Sequence, residues 1–144
     1  MHKELYMKKF FSLVASVMML FAVGAGLTSC ADDDEDDTTT IIDKSYTLSY
    51  GNVQYTFFTL NATATITVDV NCTTNGGVKV YLVDDTNLAL LLADKTFTYQ
   101  TALSSNVNVT GLKKSATLPS GKWNIAVANT NIASQTVSVK ITAN

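Results

Sequence analysis

Between residues 63 and 71 the chain alternates without a break. Ile66, Val68 and Val70 fall on one side of an extended backbone, and Thr65, Thr67 and Asp69 on the other. A period of two is that of a strand with one buried face, and it recurs to the C-terminus. Val78, Val80 and Leu82 oppose Lys79, Tyr81 and Val83; Trp123, Ile125 and Val127 share one side; Val137, Val139 and Ile141 oppose Ser138, Lys140 and Thr142. Weaker alternation predicts strands over 46–50, 53–60, 97–101, 106–110 and 113–118, with Val107 and Val109 inward. In 53–60 the aromatics fall on both sides, so either Phe58 or the Tyr55/Phe57 pair is left less buried unless the strand is covered twice.

The breaks are turn-formers. Asn75-Gly76-Gly77 supplies residues that tolerate positive φ, Asp84-Asp85-Thr86-Asn87 is a polar turn, and Pro119 fixes a φ ahead of the permissive Gly121. The stretch 88–92 (LALLL) fits a buried strand or a single helical turn, and five residues do not decide between them. Seven to nine short strands, each with one apolar face, call for an all-β fold: a two-layer antiparallel β-sandwich, jelly-roll or Ig-like, spanning residues 43–144 as one domain. A small barrel is the second solution to the same burial problem.

Ahead of this domain the pattern changes. Residues 10–27 carry no charge, Lys8 and Lys9 precede them, and Asp32, Asp33, Asp34, Glu35, Asp36 and Asp37 follow. A basic head, an apolar stretch and small residues make a secretory signal. The rival is a transmembrane helix, for which the run stands at the short end of the ~20 residues a span needs; Gly24, Gly26 and Ser29 favour cleavage instead. Met7 is a start site that suits a compact n-region better than Met1. Leu27-Thr28-Ser29-Cys30 resembles the lipobox of bacterial lipoproteins, and the acidic block resembles the export tag of surface lipoproteins of Bacteroidetes-type bacteria. The resemblance implies a signal peptide over 1–29, a lipidated Cys30, an acidic and Thr-rich tether over 30–42, and a lipid-anchored, surface-exposed place at the outer membrane.

Composition then removes chemistry. His2 is the single histidine and lies in the leader, and all ten basic residues are lysine. Residues 30–144 therefore lack the parts of a His-based triad, of most zinc sites and of a bidentate Arg clamp. Seven lysines against five acids after the acidic run leave the domain slightly positive, with no cluster denser than Lys113-Lys114, expected as an exposed hairpin corner. That is too few cations for nucleic acid. With Cys30 lipidated, Cys72 lacks a partner and is expected as a small buried apolar residue. Asp84 and Asp85 are expected as turn-formers, a weak calcium site being the other chemistry open to them; no further cofactor is expected. Aromatics are the better lead for binding: Tyr81 and Tyr99 as outward rings, with Phe58, form a candidate ligand surface, while Trp123 shares a face with Ile125 and Val127 and reads as a core anchor.

Tyr55-Thr56-Phe57-Phe58-Thr59-Leu60, with the 65–70 alternation, resembles the opening strands of bacterial pre-peptidase C-terminal domains. Leu118-Pro119-Ser120-Gly121-Lys122-Trp123-Asn124-Ile125-Ala126-Val127 and the 137–141 run resemble their closing pair. The resemblance covers most of residues 50–142 and implies an appendage or binding module, not an enzyme. Two function classes follow: a non-catalytic module at the cell surface contacting glycan or protein, or a structural, assembly or adhesion subunit that pairs through sheet edges.

Overall fold

The eight strands found among the described residues alternate between two sheets. The computed structural model describes residues 37–144; the leader, Cys30 and residues 32–36 of the acidic run lie outside them. In order come β1 (Thr39–Leu48), β2 (Val53–Leu60), β3 (Ala64–Cys72), β4 (Val78–Val83), α1 (Asp85–Leu92), a 3-10 turn (Thr101–Leu103), β5 (Ser105–Val109), β6 (Gly111–Leu118), β7 (Gly121–Ala128) and β8 (Gln135–Ala143). The first sheet runs β1-β8-β3-β6 and the second β2-β7-β4-β5, all pairs antiparallel. Every connection but one crosses from sheet to sheet. Only β4 to β5 stays within its sheet, and it carries α1. This is the strand order of an eight-stranded jelly roll, so the sandwich expected from the alternation is the one that forms.

The inward sets close on each other. Ile66, Val68 and Val70 of β3, Val78, Val80 and Leu82 of β4, Ile125 and Val127 of β7, and Val137, Val139 and Ile141 of β8 are all buried in one cluster. Each such side chain contributes about 1.5–3 kcal/mol by leaving water. Trp123 packs partly buried at the margin of this cluster, and its indole Nε1 donates to the Pro119 carbonyl at 3.2 Å. Cys72 sits half-buried at the end of β3, where its thiol donates to Gln135 Oε1 at 3.4 Å.

Several expectations are corrected. Strand β1 begins at Thr39, so Thr39 and Thr40 pair with Ala143 and Thr142 instead of extending the tether. Residues 97–101 form no strand; Gln100 N donates to the Leu82 carbonyl at 2.9 Å and the chain enters the 3-10 turn. Val107 is 62 % exposed, because β5 is an edge strand of five residues whose register with β4 is irregular. Lys113 and Lys114 lie inside β6, opposite Asp69 and Val68, not at a corner.

The segment 88–92 is helical for identifiable reasons. Asp84 caps the helix, its Oδ1 accepting from Asn87 N at 2.7 Å, and Leu and Ala follow as good helix formers. The helix closes with Lys95 N on the Leu90 carbonyl at 2.9 Å and Asp94 N on the Leu91 carbonyl at 3.2 Å. These are the paired bonds of a Schellman ending, which puts Asp94 at φ 54°.

Edges are guarded. At both rims of the first sheet a lysine takes an inward-facing position: Lys44 opposite Val139 and Lys114 opposite Val68. Lys114 Nζ reaches the Ser104 carbonyl at 2.6 Å. On the other side Tyr46 of β1 hydrogen-bonds Thr56 of β2 through their hydroxyls, tying the two sheets together. Inward charges on rim strands discourage pairing with another sheet.

Candidate ligand-binding surface

The long β4–β5 connection folds over the outer face of the second sheet. Tyr81, Val83, Ala126 and Ala128 point outward from β4 and β7, and Leu88 covers them, with Leu91, Leu92, Phe97, Tyr99 and Val53 packed around. Tyr81 meets Phe97 edge-on at 5.1 Å between centroids and Tyr99 at 5.3 Å. Burial pushes the Tyr81 phenol above its ordinary value, and the neighbouring Tyr99 adds to the shift.

This arrangement corrects the aromatic surface expected from the sequence. Tyr81 does point outward from its sheet, but only 7 % of it reaches solvent, because a second small core lies on top. Phe58 points the other way, into the main core opposite Trp123, and is buried. Tyr99 joins Tyr81 and not Phe58, so the three do not form one open patch. Tyr99 also borders a half-open depression of about 60 Å³ with Asp84, Asn87, Thr98 and Trp123. Its polar groups are already engaged: Asn87 Oδ1 accepts from Thr98 N at 2.8 Å and from Thr98 Oγ1 at 3.1 Å, while Asn87 Nδ2 donates to Asp84 Oδ1 at 3.0 Å.

The two aspartates are separately employed. Asp84 is the helix cap, and Asp85 binds Lys122 and Asn124. The structure thus does not assemble Asp84 and Asp85 into a shared cation site, and among the described residues no three His, Cys, Asp or Glu side chains come together.

Besides Tyr50, 60 % exposed in the turn ahead of β2, the exposed aromatics are the other set from β2. Tyr55 is 40 % and Phe57 49 % exposed, at alternate positions on the outer face. Across the ladder they meet only Ala126 and Asn124. Lys122 Nζ lies 4.9 Å from the Phe57 ring centroid and 3.0 Å from Asp85 Oδ2. Asn124, itself buried, donates to Asp85 Oδ1 at 2.8 Å. Donation by Asn124 first, then by Lys122, holds the Asp85 carboxyl below the ordinary carboxylate value. The ion pair is about half exposed, so it contributes ~1 kcal/mol or less to stability. Its weight is in placing a carboxylate and an ammonium beside the half-exposed Phe57 ring.

The sequence pattern puts the rings of 53–60 on two faces, and the face open to solvent is that of Tyr55 and Phe57, not that of Phe58. The missing information was the register Phe58↔Trp123, which puts Phe58 on the face of Ile125 and Val127.

No protein-family model matches the chain, and no curated protein matches it. Among solved structures it is similar to the pre-peptidase C-terminal domain of a collagenase from Bacillus anthracis. The TM-score is 0.55 at 14 % identity, covering 69 % of this chain and 87 % of that one. At that identity the likeness speaks to fold: the two share a β-sandwich, as the opening and closing strands implied.

Proposed function

We propose that the chain is a lipoprotein, anchored by Cys30 and held at the outer membrane with its domain facing outward, and that the sandwich is a non-catalytic module binding a glycan or protein ligand. The observation that carries the binding reading is the open pair Tyr55 and Phe57 beside the Lys122–Asp85 pair on the outer face of β2 and β7. The absence of arginine, and of histidine after the leader, favours a module over an enzyme. So does a fold shared with a domain appended to a collagenase. The anchoring half rests on Lys8-Lys9, the uncharged run 10–27, Leu27-Thr28-Ser29-Cys30 and the acidic block behind it.

The structural-subunit reading, in which sheets join edge to edge, is opposed by the inward lysines at both rims of the first sheet.

Two measurements test the proposal. Metabolic labelling with a palmitate analogue marks the protein, and Cys30→Ala abolishes both the label and membrane association; an unlabelled wild-type protein rules out the anchor. On arrays of glycans and immobilised surface proteins, wild type binds saturably and Phe57→Ala does not. A blank array defeats the module reading. Tyr81→Ala is the wrong probe for binding, since it removes a packed ring.

A further inference from the structure

We infer that the ligand of the β2–β7 face is an uncharged carbohydrate chain. This rests on the binding-module reading and adds the ligand class. Tyr55 and Phe57 occur at alternate positions of one strand, about 7 Å apart along the backbone, close enough for one extended ligand to touch both. Their cross-strand partners, Ala126 and Asn124, are smaller than the rings and leave them about half exposed on the outer face, with the Lys122 ammonium against the Phe57 ring. Such rings accept the C–H faces of successive sugars, while the hydroxyls project sideways.

The side groups suit those hydroxyls. A carboxylate offers about four acceptor positions and an ammonium three donors. Asn124 and Lys122 occupy one position on each Asp85 oxygen, and the Lys122 ammonium gives one hydrogen to Asp85, which leaves both groups with capacity to spare. A vicinal diol both donates and accepts, and a carboxylate–ammonium pair offers the complement. Asn124 is 2 % exposed and spends its amide on Asp85, so the carboxylate is already fixed when a ligand arrives. Because Asp85 and Lys122 neutralise each other, the site has no surplus charge to draw a polyanion.

Affinity electrophoresis of the full chain, solubilised in a non-glycosidic detergent, tests this. Gels contain galactomannan, soluble starch, mannan or mixed-linkage β-glucan as neutral probes, polygalacturonate or heparin as anionic ones, or gelatin. Retardation is expected in at least one neutral gel and is unchanged by added sodium chloride. Phe57→Ala and Tyr55→Ala each weaken it by about tenfold or more, the scale of losing one aromatic contact, and Lys122→Met with Asp85→Asn weakens it further. Val107→Ala, exposed on the far rim, leaves it unchanged. Far-ultraviolet circular dichroism checks that each variant keeps its strands. Retardation confined to the anionic gels or to gelatin, and lost in Phe57→Ala, overturns the carbohydrate class while leaving the module reading standing. Retardation by a neutral gel that survives Phe57→Ala overturns the site. No retardation in any gel overturns the carbohydrate class, and the module reading then stands or falls with the arrays of glycans and surface proteins.

Discussion

The outer faces of the two sheets obey the same alternation and end in different surroundings. On the first sheet the outward positions are Thr65, Thr67 and Asp69 of β3, Ser138, Lys140 and Thr142 of β8, and Lys113 and Ser115 of β6, none of them buried. They meet in register, so that Asp43, Lys140, Asp69 and Lys113 form one row of alternating charge across all four strands. On the second sheet the outward positions of β4 and β7 include Tyr81, Val83, Ala126 and Ala128, and these lie under α1 and its flanks. The pleat decides which way a side chain points. Whether it then meets water depends on what the following twenty residues do. A sheet covered on both faces reads as nearly continuous apolar strands, and Val80-Tyr81-Leu82-Val83 and Ile125-Ala126-Val127-Ala128 carry that signal.

The sharpest way to break the contrast is to truncate one outward residue on each sheet. Tyr81→Ala is expected to cost about 3 kcal/mol in urea unfolding, because it empties the second core. Thr67→Ala on the first sheet should stay within ~0.5 kcal/mol. Equal costs would mean that the helix covers nothing of consequence. Next comes the lid itself. Asp84→Ala removes the cap on Asn87 N and should cost about 1–2 kcal/mol, with amide hydrogen exchange rising first in α1 and leaving β3 and β8 protected.

A smaller gain is expected at the other end of the helix. Asp94 sits at φ 54°, where glycine is free of the Cβ penalty. Asp94→Gly should therefore stabilise the protein by about 0.5–1 kcal/mol, and a lower urea midpoint would contradict the left-handed ending. The smallest effect is electrostatic. The Asp85 carboxyl is held low in the folded chain, so its contribution is complete above the ordinary aspartate value, about 3.9. It fades as pH falls through the lower, folded value. Acid unfolding of Asp85→Asn should lose this part of the pH dependence and remain otherwise parallel to wild type. Superimposable acid limbs would show that the pair does nothing for stability.

The sandwich was legible because β3, β7 and β8 alternate cleanly and each turn between elements has its own chemistry. The helix was half legible: Asp84 as a cap and Leu-Ala-Leu-Leu-Leu as helix formers are local facts, but five apolar residues suit either backbone. The segment 97–101 misled because Phe97 and Tyr99 alternate like a strand, yet they serve as packing for Tyr81, a contact across the fold that no local pattern reveals. The candidate site failed for a related reason. Phe57 and Phe58 are adjacent and identical, and only the pairing of β2 with β7 decides which one faces water.

Strand β1 has a mechanical consequence. It enters at Thr39 and runs antiparallel to β8 as far as Leu48 opposite Gln135, interrupted only by the irregularity between Thr40 and Ile42. Its ladder bonds lie perpendicular to the strand. A tug arriving at Thr39 and directed along β1 strains those rungs together in shear, whereas a peeling force would open them singly. If the chain is anchored as proposed, a pull from the anchor would reach the domain along this strand and load its whole ladder at once.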